Sequence, residues 1–246
     1  MPKRVSRIPK LTGDWWRICT MPDLGELSGP VADKQHIVDH GFVRARNGTW
    51  QLWACIRGTA VSRLIYGWEG GSLDNGPWEP RGVKLRARKV YGEVNREGVE
   101  TVGAPFFIVV DRAYCCLYHS NGIRLLTSDD GVHYERFDFR HHDNRTGMPG
   151  GRDIMVLEHS GVYYSYACVT TRTGRRSYVV SSRSEDFRTW SEGVNVSEGG
   201  RGGGGGVDAE SPFVVYLDGY FYLFRSSSIS FKTFVYRSES PQDFGM

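Results

Sequence analysis

Two short stretches decide the fold: Ser128-Asp129-Asp130-Gly131-Val132-His133-Tyr134 and Ser184-Glu185-Asp186-Phe187-Arg188-Thr189-Trp190. Each is a serine followed six residues later by an aromatic. The same spacing recurs at Ser72…Trp78 and Ser238…Phe244, so the aromatic residues succeed one another at steps of 56, 56 and 54 residues. One such match would carry little weight. Four at nearly constant spacing mark an internal repeat, and a period of that length points to a solenoid, propeller or array.

A second element repeats in phase with the first. A β-rich run meets a turn and a second aromatic run follows, beginning at Asp39, Ala104, Asp153 and Glu210. Asn47-Gly48 and Asp218-Gly219 are dipeptides that accept the positive φ of tight hairpins. A third apolar run follows in each unit, at 63–66, 122–126, 178–181 and 233–236, and a fourth strand is expected beyond each serine turn. Four antiparallel strands per unit, repeated head to tail, describe a propeller blade. The expected fold is all-β, of the five-bladed propeller type with about four blades present. The blades are placed at about 35–92, 100–140, 150–196 and 207–246, after an N-terminal extension over 1–34. A β-sandwich also uses many short strands but has no need of a fixed period. No segment shows helical periodicity over a useful length.

Composition agrees. Of the 246 residues, 13% are aromatic and 31 are glycine, which suits short strands joined by tight turns. The net charge of +3 is nearly balanced. The one basic cluster, Lys3, Arg4, Arg7 and Lys10, reads as a solvated terminus rather than a nucleic-acid arm. No apolar run is long enough for a membrane span, and the basic start does not lead into a signal-type apolar segment. Cys19, Cys55, Cys115, Cys116 and Cys168 are odd in number and form no CxxC, so buried free thiols are expected. Together these features fit a cytoplasmic setting.

Two loops precede strand starts: residues 140–151, with His141 and His142, and the glycine-rich 198–207. The latter lacks the Gly-Lys-Ser/Thr of a phosphate loop and reads as a flexible linker. Both are expected to line one mouth of the central channel.

The first strand of a blade lines the propeller axis, so strand starts converge. Three of the four starts are acidic: Asp39, Asp153 and Glu210. Carboxylates are disfavoured in strands and raise one another's pKa when clustered, which marks a candidate site. Such a set suits glycosidic cleavage, where one carboxyl donates a proton to the leaving oxygen and another activates water or attacks the anomeric carbon.

Here the chain resembles the five-bladed propeller glycosidases of families 43 and 32, the arabinanase, levansucrase and invertase superfamily. The resemblance rests on Asp39, on Arg152-Asp153, on Glu210-Ser-Pro and on the second-blade opening Ala104-Pro105, and it spans residues 35–244. It implies that Asp39 is general base or nucleophile, Asp153 tunes the acid, and Glu210 is the general acid. No cofactor is implied, although a calcium or sodium ion in the channel would be compatible. Asp39 is followed by His-Gly, which matches neither family's first signature and leaves the stereochemical course open. The family has five blades, and a fifth needs about 40 to 50 further residues. Truncation is the expected explanation, with strands from residues 11–34 as the alternative.

Arg57, Trp68, His119, His141, His142, Arg152 and Arg225 are candidate sugar contacts, Trp68 by stacking on a sugar face. Adjacent histidines without a paired Cys or Glu make a poor metal site. The expected partner is a carbohydrate, a plant or algal glycan, with hydrolysis as the reaction. A non-catalytic carbohydrate-binding propeller and a glycoside phosphorylase, with phosphate held by Arg152, His141 and His142, are the alternatives. A sialidase would need a tyrosine nucleophile and an arginine cluster.

Overall fold

The computed structural model describes residues 10, 12–74, 76–141 and 143–245. Lys3, Arg4, Arg7 and His142 therefore lie outside the described residues. The rest is built from four antiparallel sheets. The first blade contains β1 (His36–Arg44), β2 (Trp50–Thr59), β3 (Ser62–Gly70) and β4 (Glu79–Leu85). The second contains β5 (Gly103–Val110), β6 (Ala113–His119), β7 (Ile123–Ser128) and the short β8 (Glu135–Arg136). β9 (Arg152–His159), β10 (Val162–Thr170), β11 (Ser177–Ser184) and β12 (Val194–Ser197) form the third. β13 (Glu210–Leu217), β14 (Tyr220–Ser227) and β15 (Lys232–Ser238) form a three-stranded fourth.

The repeated serine turn has a physical basis. Ser128 Oγ accepts the amides of Asp130 and Gly131, while Asp130 Oδ1 accepts those of Val132 and His133. Ser184 and Asp186 repeat the arrangement, with Arg188 and Thr189 as donors. The His133 ring, bonded to Asp130 Oδ2, together with these amides holds the Asp130 carboxyl well below the usual range, and the amides do the same for Asp186. The turn aims the following aromatic back between blades. Tyr134 packs edge-on to Trp53 of the preceding blade with ring centroids 5.0 Å apart. Trp190 fills the core between blades two and three, and Phe244 packs on Tyr166.

Three inner hairpins turn through two residues of positive φ: Asp111-Arg112, Ser160-Gly161 and Asp218-Gly219. That is the left-handed geometry matching strand twist. The Asn47-Gly48 turn differs from expectation. Arg44 pairs Trp50, so the loop has five residues, and Asn47 uses its side chain to accept the Thr49 amide.

Innermost strands pack in sequence, β1 on β5, β5 on β9, and β9 on β13. Gly41 permits the first contact, since a Cβ there would lie 2.6 Å from the Pro105 carbonyl oxygen. Among the described residues the ring does not close from β13 back to β1 with comparable packing. The alternative that residues 11–34 supply strands is corrected: the described part forms only two single-turn 3₁₀ helices, Gly25–Leu27 and Ala32–Lys34. Ile18, Cys19, Leu24 and Leu27 instead cover the outer face of blade one, over Leu52, Ile56 and Trp68. The corresponding face of blade four leaves Phe213, Leu217 and Val235 exposed. All five cysteines are free, four of them buried.

Candidate active site

One backbone device recurs at the start of every innermost strand. Asp39, Ala104, Asp153 and Ser211 all have left-handed φ, between 45° and 55°. In each blade the register slips there, so the inner strand carries one residue more than its partner strand. This is a β-bulge, which bends the strand and re-aims side chains. Left-handed φ at a non-glycine residue costs about 1–3 kcal/mol and persists where the surrounding fold imposes it.

The bulge corrects one expectation. Glu210 does not share a position with Asp39, Ala104 and Asp153; Ser211 does. Glu210 corresponds to Val38, Gly103 and Arg152, the residues just before the bulge. It still reaches the same place. Asp153, Cys168 and Glu210 bring a carboxylate oxygen or sulfur each within 4.8 Å of one another. Asp39 is near enough to raise the pKa of Asp153.

The three carboxyls stand in different surroundings. Asp39 Oδ2 accepts from Arg57 at 3.1 Å. Glu210 is gripped at both oxygens by Arg152, at 3.1 and 2.5 Å, and the guanidinium is itself held by Thr170 Oγ at 2.9 Å. Asp153 has no arginine on it. Its Oδ2 accepts the Ser211 amide at 3.1 Å and the Cys168 thiol at 3.6 Å. Burial, with Asp39 adding repulsion, lifts its pKa to about 6. The flanking thiols are neutral: burial pushes Cys55 up to about 11, with Asp39 assisting, and Cys168 well above its ordinary value.

A cavity of about 670 Å³ opens over Asp39 and Asp153, lined by 39–42, 104–107, 153–155 and 211–213; Glu210 is not part of its lining. Its walls are mostly apolar, with Asp39, Asp153 and Ser211 among its polar groups, the composition expected of a small-molecule site. His40 belongs to it and sequence reasoning missed it. Burial lowers its pKa, and it stands edge-on to Phe42. The signal was its place directly after a bulged aspartate.

The other expected contacts divide. Arg57 and Arg152 sit at the cluster, each bound to a carboxylate. His119 occupies in blade two the position held by Cys55 and Cys168 in blades one and three. Burial, with Arg63, Arg152 and Arg124 nearby, lowers its pKa to about 4, so it is neutral at pH 7. His141 is exposed on a turn and does not line the cavity.

Two expectations are corrected. Trp68 is fully buried among Leu52, Leu64 and Tyr66 and has no face for a sugar. Arg225 is also fully buried. It donates to Ser197 Oγ, to the carbonyls of Gly199 and Gly203, and to Tyr236 Oη. The glycine-rich loop is therefore a folded element wound on Arg225, not a flexible linker. Asp208 completes it, accepting from the Gly205 amide and Ser227 Oγ. Arg225→Ala is expected to cost about 3–5 kcal/mol of stability by stranding these acceptors. Chemical denaturation measures the loss.

A calcium or sodium ion fits the cluster poorly. Calcium takes six to eight oxygens, whereas this set offers a neutral buried thiol, an Asp153 carboxyl that already accepts the Ser211 amide, and a Glu210 carboxylate bound by Arg152.

Comparison with known proteins gives the fold its relatives. No protein-family model matches the chain, and no curated protein does. Solved structures match well. A thermostable family-43 glycoside hydrolase aligns with TM-score 0.64 at 19% identity, covering 87% of this chain and 72% of its own. The endo-arabinase of Bacteroides thetaiotaomicron aligns with TM-score 0.60 at 13% identity, over 87% of this chain and 78% of its own. A GH32 β-fructofuranosidase of Bombyx mori aligns with TM-score 0.61 at 15% identity, over 86% and 49%. The chain thus has four blades of the β-propeller fold found in family-43 and family-32 glycoside hydrolases.

Proposed function

We propose that this chain is a glycoside hydrolase that cleaves a furanosidic or pyranosidic link in a plant or algal glycan with Asp39, Asp153 and Glu210. The observation that carries the reading is the gathering of three carboxyls from three blades, Asp39 and Asp153 lining a cavity and Glu210 next to Asp153, with unlike surroundings. Carboxyls whose environments push their proton affinities apart are what acid/base division of labour needs.

Asp39, ion-paired with Arg57, takes the role of general base or nucleophile. Glu210 is the proton donor to the leaving oxygen. To carry that proton it must be loosened from Arg152, and a sugar hydroxyl drawing off part of the guanidinium would do so. Asp153 stands between them. While protonated it imposes no charge on Glu210; once ionised, it makes ionisation of Glu210 harder and so favours the acid form. His40 and Ser211 are placed to bind sugar hydroxyls.

Release of 4-nitrophenol from a panel of nitrophenyl glycosides, with α-L-arabinofuranoside and β-D-xyloside included, tests this. Turnover is expected with at least one sugar. Calorimetric binding without turnover would favour a non-catalytic sugar-binding propeller, and strict dependence on inorganic phosphate a phosphorylase.

Asp153→Asn gives a test through stability. A carboxyl whose folded pKa is about 6 against 3.8 unfolded binds its proton more tightly when folded. The wild type therefore loses stability as pH rises through that window, and the neutral amide does not. The variant should be more stable at pH 8, by on the order of 2 kcal/mol, with the difference gone below pH 4. His119 contributes the opposite slope between about 4 and 6.5 in both proteins, so the comparison isolates Asp153. Equal pH dependence in paired thermal melts would refute the assignment.

A further inference from the structure

A second cleft lies at the other end of blade one. It encloses about 420 Å³ and is lined by Thr49, Glu69, Gly70–Ser72, Gly76–Glu79 and Arg81. β2 spans the two sites. Arg57 near its end touches Asp39, while Gln51 near its start touches Glu69. Six residues of strand separate them by about 20 Å, so this cleft cannot share a bound monosaccharide with the candidate active site.

Its polar wall is fixed in place. Glu69 accepts from Gln51 Nε2 at 2.6 Å and Thr49 Oγ at 3.3 Å, and from Arg81 Nε and a terminal nitrogen at 3.2 and 3.0 Å. These donors hold the Glu69 carboxyl below its ordinary pKa. Arg81 remains nearly half exposed and Glu79 is exposed beside it. The cleft thus presents both donors and acceptors to solvent from a rigid frame.

Beside it stand two tryptophans that the catalytic reading leaves unused. The segment before Ile18 is pinned to the cleft by the Trp78 amide, which donates to the Ile18 carbonyl at 2.8 Å. Trp16 lies against Gly76, where a Cβ would come within 3.2 Å of the indole. Yet Trp16 is 50% exposed and Trp15 is 85% exposed. Trp16 beside the cleft and Trp15, its neighbour in the chain, leave two indoles in water, which is costly unless something covers them. Flat aromatic faces beside fixed carboxylate and guanidinium groups match the apolar C–H faces and vicinal hydroxyls of a sugar ring.

We infer that Trp15, Trp16 and Arg81 form a second saccharide-binding site, which holds a stretch of glycan chain remote from the site of cleavage. The inference rests on the carbohydrate reading above and extends it to polymeric substrates. A chain tethered there raises the local concentration of bonds near the catalytic mouth.

Affinity electrophoresis in native gels cast with soluble arabinan or levan tests it. The unmodified chain should be retarded in at least one gel. Trp15→Ala/Trp16→Ala should weaken that retardation at least about tenfold, and Arg81→Ala, a surface change that spares the core, should weaken it too. Turnover of a nitrophenyl glycoside should be unchanged in both variants. Equal retardation of wild type and variants, or none in either gel, overturns the second site. Retardation without glycoside turnover would leave this site standing and overturn the catalytic reading instead.

Discussion

Asp39→Asn should lower kcat/KM by about 10⁴-fold on every substrate the chain accepts, whatever the leaving group. The loss is large because the group that attacks, or activates water to attack, has no substitute nearby. Asp153 points into the same cavity but is already engaged, its Oδ2 accepting the Ser211 amide and the Cys168 thiol. Glu210 is bound by Arg152. The amide retains an acceptor for Arg57, so the bulge and its ion-paired neighbour should survive, and the thermal melt should shift little. Steady-state kinetics on paired activated and unactivated glycosides provides the measurement. Activity within tenfold of wild type would remove Asp39 from the chemistry.

Glu210→Gln should behave differently. A general acid contributes about 10²–10⁴-fold, and only when the leaving oxygen needs a proton. On an unactivated oligosaccharide the variant should lose about 10³-fold in kcat/KM. On a nitrophenyl glycoside, whose leaving group departs as an anion, the loss should be far smaller. The ratio of the two losses is the diagnostic. A uniform loss would instead mean that Glu210 acts by holding Arg152, which would then be free to swing into the cavity. Comparing Arg152→Lys separates these cases, since lysine keeps the charge but not the two-point grip. An acid role for Glu210 predicts that Arg152→Lys alters the pH profile without creating leaving-group dependence.

The fold was legible because its signal is a period. The serine turns and their aromatics recur for one reason in blades two to four, a turn that returns a ring to the inter-blade core, while Trp78 of blade one packs on that blade's outer face. The acids were legible for the same reason, since phase places strand starts together. What stayed hidden was local. A bulge adds one residue without any fixed composition, so while Asp39, Ala104 and Asp153 were aligned, Ser211 was passed over and Glu210 was placed one step out of phase. Trp68 and Arg225 were misjudged because a blade buries both of its faces. Alternation along β3 or β14 therefore does not mark an inside and an outside, as it would in a sheet with one wet face. The pairing of Arg57 with Asp39 and of Arg152 with Glu210 joins residues 18 and 58 positions apart. No local pattern announces such pairs. The glycine run reads as a linker by composition, and residues from outside its run of glycines, Arg225, Asp208, Ser177 and Tyr236, make it a structured loop.

The central claim is that three carboxyls from three blades act as one catalytic unit. The most direct test is a double-mutant cycle on kcat/KM for an unactivated oligosaccharide, using Asp39→Asn, Glu210→Gln and the combined variant. Residues that serve one reaction lose their effects non-additively. The combined variant should be no slower than Asp39→Asn alone to within about tenfold. Wild-type rates in either single variant, or losses that multiply through to the double, would contradict the account.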